Sequence, residues 1–187
     1  MFPAVNKPVD SFAASNRARF STAEFLRMVD ADVFEDERVE LIDGQIERMQ
    51  RPKNVHAARQ AQVVIRLAQA AAEDLVRGDS GLDLGDDTFV VADAALLRVP
   101  VAEPRWLTPA DLRLVVEVAE TTRERDLGVK QRKYAAAGVP AYWVVDGTRG
   151  VVHVFDRPGE DGYLGITLVR FGEPLAVPGS EATITLG

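Results

Sequence analysis

Apolar positions in this chain recur at two periods, and each change of period marks a new element. Ser21 with Glu24 three positions later forms a capping-box pattern ahead of Phe25, Leu26 and Met28, which predicts a helix over 21–30. Val39-Glu40-Leu41-Ile42 and Gln45-Ile46-Glu47-Arg48-Met49 flank Asp43-Gly44, the dipeptide that supplies the positive φ angles of a tight hairpin. From Val55 to about Arg77, the residues Val63, Val64, Leu67, Ala71 and Leu75 fall on one helical face, with Gly78 as the stop. Short strands are expected at 82–84, 88–91 and 93–98. A loop containing Pro100, Pro104 and Pro109 leads into the apolar run 112–119. A helix over about 126–137, ended by Gly138 and Pro140, precedes strands at 141–146, 151–155, 163–170 and 182–186. Residues 1–20 show no period and read as a loose arm. The remainder, 21–187, reads as a single α/β (α+β) domain with a mixed central sheet flanked by helices.

Composition narrows the classes open to such a domain. With 187 residues the chain is long enough for one well-buried core and short for two. No apolar segment approaches the ~20 residues needed to span a bilayer. The N-terminus lacks the apolar centre of roughly 7–15 residues that a secretory signal needs. A cytoplasmic protein without a membrane partner is the expectation. The chain has no cysteine and only two histidines, His56 and His153, which argues against disulfides, thiolate metal sites and a His-rich zinc centre. Oxygen ligands are plentiful.

One residue stands out against this background. Glu117 lies inside Leu112-Arg113-Leu114-Val115-Val116-Glu117-Val118-Ala119, where an ionised carboxylate costs several kcal/mol unless it meets a cation or hydrogen-bond donors. Asp93 interrupts a second apolar stretch, Phe89 to Leu97, in the same way, and Lys130 lies on the helix that follows Glu117. Two carboxylates at the same end of adjacent strands form a hard, all-oxygen site suited to Mg²⁺ or Mn²⁺. A nearby ammonium suits a water nucleophile or developing phosphate charge. The constellation is that of phosphodiester hydrolysis.

The net charge of −7 works against diffuse electrostatic binding of nucleic acid. The charge is uneven, however. Arg48, Arg51, Lys53 and Arg59 cluster with few acids, and Arg123, Arg125, Lys130, Arg132 and Lys133 outnumber Glu124 and Asp126.

The order of hairpin, long helix, strand with Asp, strand with Glu and helix with Lys resembles the PD-(D/E)XK nuclease superfamily. Val39 to Gly44, His56, Asp93, Leu114 to Val118, and the series Asp126, Lys130, Tyr134, Gly138-Val139 and Tyr142 to Asp146 resemble its Uma-type restriction endonuclease family over roughly 20–170. The resemblance implies a restriction-endonuclease-like core in which Asp93, Glu117 and the Val118 carbonyl bind Mg²⁺ or Mn²⁺. Glu40 would add a further carboxylate, and Lys130 would act as the relocated motif lysine. A metal-activated water would then hydrolyse a DNA phosphodiester, and cutting both strands calls for a homodimer. Beside such a site the two basic clusters, usually just solvated faces, would supply the DNA contacts Arg51, Lys53, Arg123, Arg125 and Lys133. The chain departs from the pattern at Ala92, where the superfamily has proline. It departs again at Ala119-Glu120-Thr121-Thr122, where this branch carries a Ser-Pro segment, and the added acid Glu120 bears on phosphate approach.

Plainer readings exist for each residue. Glu117 fits a strand-end ion pair with an arginine, and Asp93 a solvent-facing acid. Lys130 fits a surface helix pair with Asp126 four residues earlier, worth about 0.2–0.5 kcal/mol. Glu40 fits the exposed face of the hairpin, His56 the ordering of a helix entrance, and Tyr134, Tyr142 and Trp143 the core. At the level of the whole protein, the rivals to an endonuclease are a catalytically silent nuclease-fold module and a metal-dependent hydrolase of a small phosphorylated substrate.

Overall fold

A computed structural model describes residues 17–35, 37–120 and 122–187. Most of the expected N-terminal arm lies outside the described residues. Helix α1 (Thr22–Asp30) starts on the expected capping box: the Glu24 N–H donates to Ser21 Oγ while the Glu24 carboxylate accepts from the Ser21 N–H. Strands β1 (Val39–Ile42) and β2 (Gln45–Arg48) form the hairpin, with φ of 51° at Asp43 and 72° at Gly44, both in the left-handed region a two-residue turn needs.

Helix α2 (Asn54–Ala70) is shorter than its hydrophobic period suggests. Ala71 is already extended, Glu73–Leu75 form one 3₁₀ turn, and β3 (Val76–Gly85) begins where the sequence reads as the last helical turn. Val76 points into the sheet core, so its apolar side chain satisfies a strand register rather than a helical one. Gly78 is therefore not a helix stop. It lies inside β3, where an added Cβ would come 3.4 Å from Val64 Cγ2 on the overlying α2.

Strand β4 (Thr88–Leu97) joins the two short strands expected at 88–91 and 93–98 into one. Asp93 breaks the apolar pattern in the middle of β4 and has no Cα partner in β3 or β5. Strand β5 (Leu112–Ala119) matches its apolar run. It leads into a continuous helical segment of α3 (Arg123–Arg125), a π turn (Asp126–Lys130) and α4 (Gln131–Ala136). Strands β6 (Ala141–Asp146), β7 (Val151–Gly159) and β8 (Gly162–Arg170) follow. A small β9 (Leu175–Ala176) and β10 (Thr183–Ile184) pair closes the chain. The last expected strand is thus reduced to two residues.

The eight-stranded sheet runs β2-β1-β4-β5-β6-β7-β8, with β3 also on β4; β5 and β6 are parallel and the other pairs antiparallel. Two cores cover its faces. One packs Val63 and Leu67 of α2 against Leu114, Val116, Val118 and Trp143; the other packs Tyr134 against Val115, Tyr142 and Phe155. Among the described residues no helix is long and apolar enough to cross a membrane.

Candidate active site

The sheet forks at β4. Its first half meets β1 at Leu41↔Phe89, its second half meets β5 from Ala94↔Val116 onward, and Asp93 stands at the branch. The inward parity of β4 also changes there. Val90 and Ala92 before Asp93, and Ala95 and Leu97 after it, all belong to the same core cluster. Opposite the change, the β3 register passes from Gly78↔Ala94 to Ser80↔Ala92 over Asp79, whose φ is 50°. Such irregularities re-aim side chains, and this one frees a carboxylate to do the work of a backbone partner. Asp93 Oδ2 accepts the Val118 N–H at 2.7 Å, and Asp93 Oδ1 lies 3.1 Å from His56 Nε2 on the first turn of α2. Gln60 donates to the Asp93 carbonyl at 3.0 Å.

Glu117 shares its strand face with Val115 and Ala119, which pack toward Tyr134. Its Oε1 accepts from Lys130 Nζ at 3.0 Å and from the Tyr134 hydroxyl at 2.8 Å, leaving Oε2 without a hydrogen bond among the described residues. Lys130 also lies 2.9 Å from Glu40 Oε1. Glu40 is fully buried: Oε1 takes the Val91 N–H at 2.9 Å and Oε2 takes Arg125 Nη2. The π turn brings both its first residue, Asp126, and its last, Lys130, into the interior. Asp126 is held by Thr122 Oγ1 at 2.5 Å, so Lys130 is not its surface partner.

Carboxylates outnumber fixed cations in this volume, and the electrostatics follow. Burial lifts Glu117 well above the usual carboxylate range. Lys130 counters that shift, while Asp93, Asp126 and Glu40 reinforce it. Asp126 is raised for the same leading reason, with Lys130 and Thr122 opposing. For Lys130, burial works against the charge, but Glu117, Glu40 and Asp126 together outweigh it, so its pKa rises and the ammonium stays charged. His56 is raised by its hydrogen bond to Asp93 against the effect of burial, with help from the charges of Asp93, Glu120 and Asp126.

These groups line a cleft of about 90 Å³ whose wall includes Asp93, Glu117, Val118, Lys130 and His56, with Arg51 and Lys53 among its other lining residues. Among the described residues no group of three or more His, Asp or Glu side chains is arranged to hold a metal ion. The donor set nonetheless fits a hard cation that keeps several of its own waters and takes one or two carboxylates. Asp93 and Glu117 both line the cleft, and a cation there would counter the burial that raises Glu117.

All four expected side chains, Glu40, Asp93, Glu117 and Lys130, converge here. The plainer readings of Glu40 as an exposed hairpin residue and of Lys130 as a surface pair do not match this burial. Of the five expected DNA contacts, Arg51 and Lys53 are exposed and free of ion pairs among the described residues. The other three brace the fold: Arg123 on Asp146 at 2.8 Å, Arg125 on Glu40 and Glu47, and Lys133 on Asp43. Glu120 is paired with Arg59 at 2.7 Å, which offsets the added charge. Sequence reasoning gave Tyr134 to the core, Asp126 to a surface pair and Arg125 to DNA; the structure instead sets Tyr134 on Glu117 and Arg125 on Glu40, and buries Asp126.

Fold and site together define a protein of the nuclease-fold class. The structure of "a putative nuclease belonging to DUF820" from Anabaena variabilis is similar, with a TM-score of 0.66 and 19% identity over 89% of this chain and 94% of that one. The model of the family described as "Uma2: Putative restriction endonuclease" matches residues 22–186, and the chain belongs to that family. No curated protein matches the chain.

Proposed function

We propose that the cleft is the active site of a divalent-cation-dependent endonuclease that hydrolyses DNA phosphodiester bonds. The observation that supports this most directly is the buried Glu117–Lys130 pair set beside Asp93 at the fork of the sheet. Asp93 and Glu117 would hold Mg²⁺ or Mn²⁺, with the Val118 carbonyl as a third ligand. Glu40, fully buried and outside the cleft lining, positions Lys130 rather than the cation. When bound, the cation supplies Lewis acidity that eases deprotonation of water and offsets phosphate charge.

The chain's own residues do the rest. Lys130, kept charged by three acids, presents a fixed ammonium to a nonbridging phosphate oxygen without reorganising. Tyr134 and Lys130 together fix Glu117 Oε1. His56 fixes the Asp93 carboxylate, and Val118 N–H locks its second oxygen. Arg51 and Lys53 at the cleft wall would take the flanking phosphates. Cutting both strands of a duplex calls for two copies of the site, hence a homodimer.

The test is cleavage of supercoiled and linear DNA at low salt with Mg²⁺ or Mn²⁺, comparing wild type with Asp93→Ala, Glu117→Ala and Lys130→Ala. Cation-dependent cutting that disappears in all three folded variants supports the reading. No cutting by wild type, or cutting indifferent to Glu117, rejects it in favour of a silent module; cleavage of nucleotides but not polymers rejects it in favour of a small-substrate hydrolase.

A further inference from the structure

A second cavity lies beside the cleft and takes no part in the chemistry described above. Its volume is about 440 Å³, within the roughly 300–1,000 Å³ usual for a small-molecule site. Arg38 lines both cavities. Phe89 and Val91 of β4 line the second one, and Asp93, two residues beyond Val91, lines the cleft, a separation of roughly 7 Å at the rise of a strand. The wall is aromatic. Phe34, Phe25, Phe89 and Trp106 follow one another with ring centroids 5.8, 5.7 and 5.1 Å apart. Phe25 and Phe89 are buried, whereas Trp106 is 44% exposed, so part of the wall is open for another ring to pack on.

Charge is graded across this cavity. Arg38 is shared with the cleft, whose wall also carries Arg51 and Lys53. Asp32 and Glu35, from the turn after α1, line only the aromatic cavity and have no cationic partner among the described residues. Its other two acids are matched, Asp79 by Arg38 at 2.5 Å and Glu37 by Arg48 at 2.8 Å.

We infer that the aromatic cavity holds a nucleobase of the substrate strand, adjoining the phosphate in the cleft. A nucleotide has the same polarity as the two cavities together. Its anionic end suits Arg38, Arg51 and Lys53. Its other end is an uncharged planar ring that stacks on aromatic side chains and offers N–H donors to carboxylates such as Asp32 and Glu35. A phosphate in the aromatic cavity would meet those two unmatched acids instead. A base has to leave its stack in a duplex to enter, so the arrangement selects unpaired DNA. The inference rests on the proposed function for the phosphate in the cleft and adds the base that accompanies it.

The test is equilibrium binding without added cation, so that nothing is cut. The probes are a labelled single-stranded oligonucleotide of mixed sequence, the same strand with abasic residues throughout, and the duplex of that sequence. The single strand should quench the emission of Trp106, the duplex should quench it less, and the abasic strand should leave it unchanged; Trp143, the other tryptophan, is buried. Trp106→Ala should weaken binding of the single strand by at least about fivefold, the lower end of what one base stacked on an aromatic ring contributes. It should leave binding of the abasic strand and the circular dichroism spectrum as they are, and Trp106→Phe, which keeps a ring, should restore most of the loss. Equal binding of the base-bearing and abasic strands, equal quenching by duplex and single strand, or indifference to Trp106→Ala overturns the inference. Quenching by tetramethylammonium but not by the oligonucleotide overturns it in favour of an organic cation, and a deoxynucleoside monophosphate that binds as tightly as the strand overturns it in favour of a free nucleotide. Base-dependent quenching by a protein that cuts no DNA keeps the cavity and removes the nuclease reading; cutting by a protein whose binding ignores Trp106 does the reverse.

Discussion

Asp93 substitutes for a strand: its Oδ2 takes the Val118 N–H at 2.7 Å where β4 and β5 part. That bond makes the residue structural and chemical at once, and the two roles separate by substitution. Asp93→Asn keeps an oxygen for Val118 and loses the charge; Asp93→Ala loses both. We expect Asp93→Asn to denature close to wild type, and Asp93→Ala to lose about 1–3 kcal/mol for the stranded backbone donor. Both should lose DNA cleavage by more than the roughly 10–100-fold typical of groups one bond away from a metal. Urea titration alongside cleavage rates checks this, and an active Asp93→Asn would show that the charge is dispensable.

Lys130 joins two acids from different parts of the chain, Glu40 at 2.9 Å and Glu117 at 3.0 Å, with almost no exposure of any of the three. Removing one member of a buried pair leaves the others uncompensated, at a cost of about 3–5 kcal/mol. Lys130→Met should show that loss. Adding Glu117→Gln should return part of it, because the second change removes a charge the first one stranded. A double-mutant cycle in guanidinium gives the coupling, and additivity within about 0.5 kcal/mol would mean that the pair does not interact.

Much of this arrangement was legible from the chain, and the reasons divide cleanly. The apolar run around Glu117 and the Asp43-Gly44 turn are local signals, and β5 and the hairpin fall where they predict. Lys130 was legible as a candidate, but its local neighbour Asp126 offered an equally good surface partner, and only the π turn decides against it. Glu40 and Arg125 lie 85 positions apart, so no periodicity connects them. Tyr134 reads as ordinary core because burial of an aromatic ring leaves no trace of where its hydroxyl points. The overextended second helix has the same root: Leu75 and Val76 fit a helical period as well as the start of a strand, and the sheet decides.

Cation binding has a readout that does not depend on turnover. A ligand bound only by the folded state stabilises it by about 2.7 kcal/mol at a hundred times its dissociation constant. Mg²⁺ or Mn²⁺ should therefore raise the melting temperature of wild type, since either would counter the burial that disfavours the Glu117 charge. Glu117→Gln and Asp93→Asn should abolish the increment, and Glu47→Gln, outside the cleft, should preserve it. Equal increments in all four proteins would assign the effect to nonspecific ion binding.

Gly81 lies where no side chain fits. An added Cβ would approach Phe89 Cζ to 2.6 Å and the Trp106 ring to 2.8 and 2.9 Å, and those rings pack edge to face with centroids 5.1 Å apart. Gly81→Ala should lower stability by about 1–3 kcal/mol, the usual cost of overpacking. Trp143 is buried in the other core, so a change in tryptophan emission on this substitution reports displacement of Trp106. Unchanged stability and emission would show that the rings give way freely.

The acid limit of stability should depend on Asp111. Its carboxylate accepts both terminal nitrogens of Arg105 at 2.8 Å, the Thr108 N–H at 2.8 Å and Thr108 Oγ1 at 2.9 Å. The Arg105 hydrogen bonds hold the carboxyl well below its ordinary value of 3.8, with burial opposing and Thr108 assisting. A depressed folded pKa means that the unfolded chain binds the proton more readily. The contribution is therefore complete above about pH 5 and drains away as pH falls through 4 toward the folded value. Asp111→Asn removes that titration. The variant should be less stable than wild type at neutral pH, and the gap should narrow as the pH drops below 4. Melting curves collected from pH 7 to pH 3 check the sign, and a gap that stays constant or widens on acidification would mean that the Arg105 clamp does not shift Asp111.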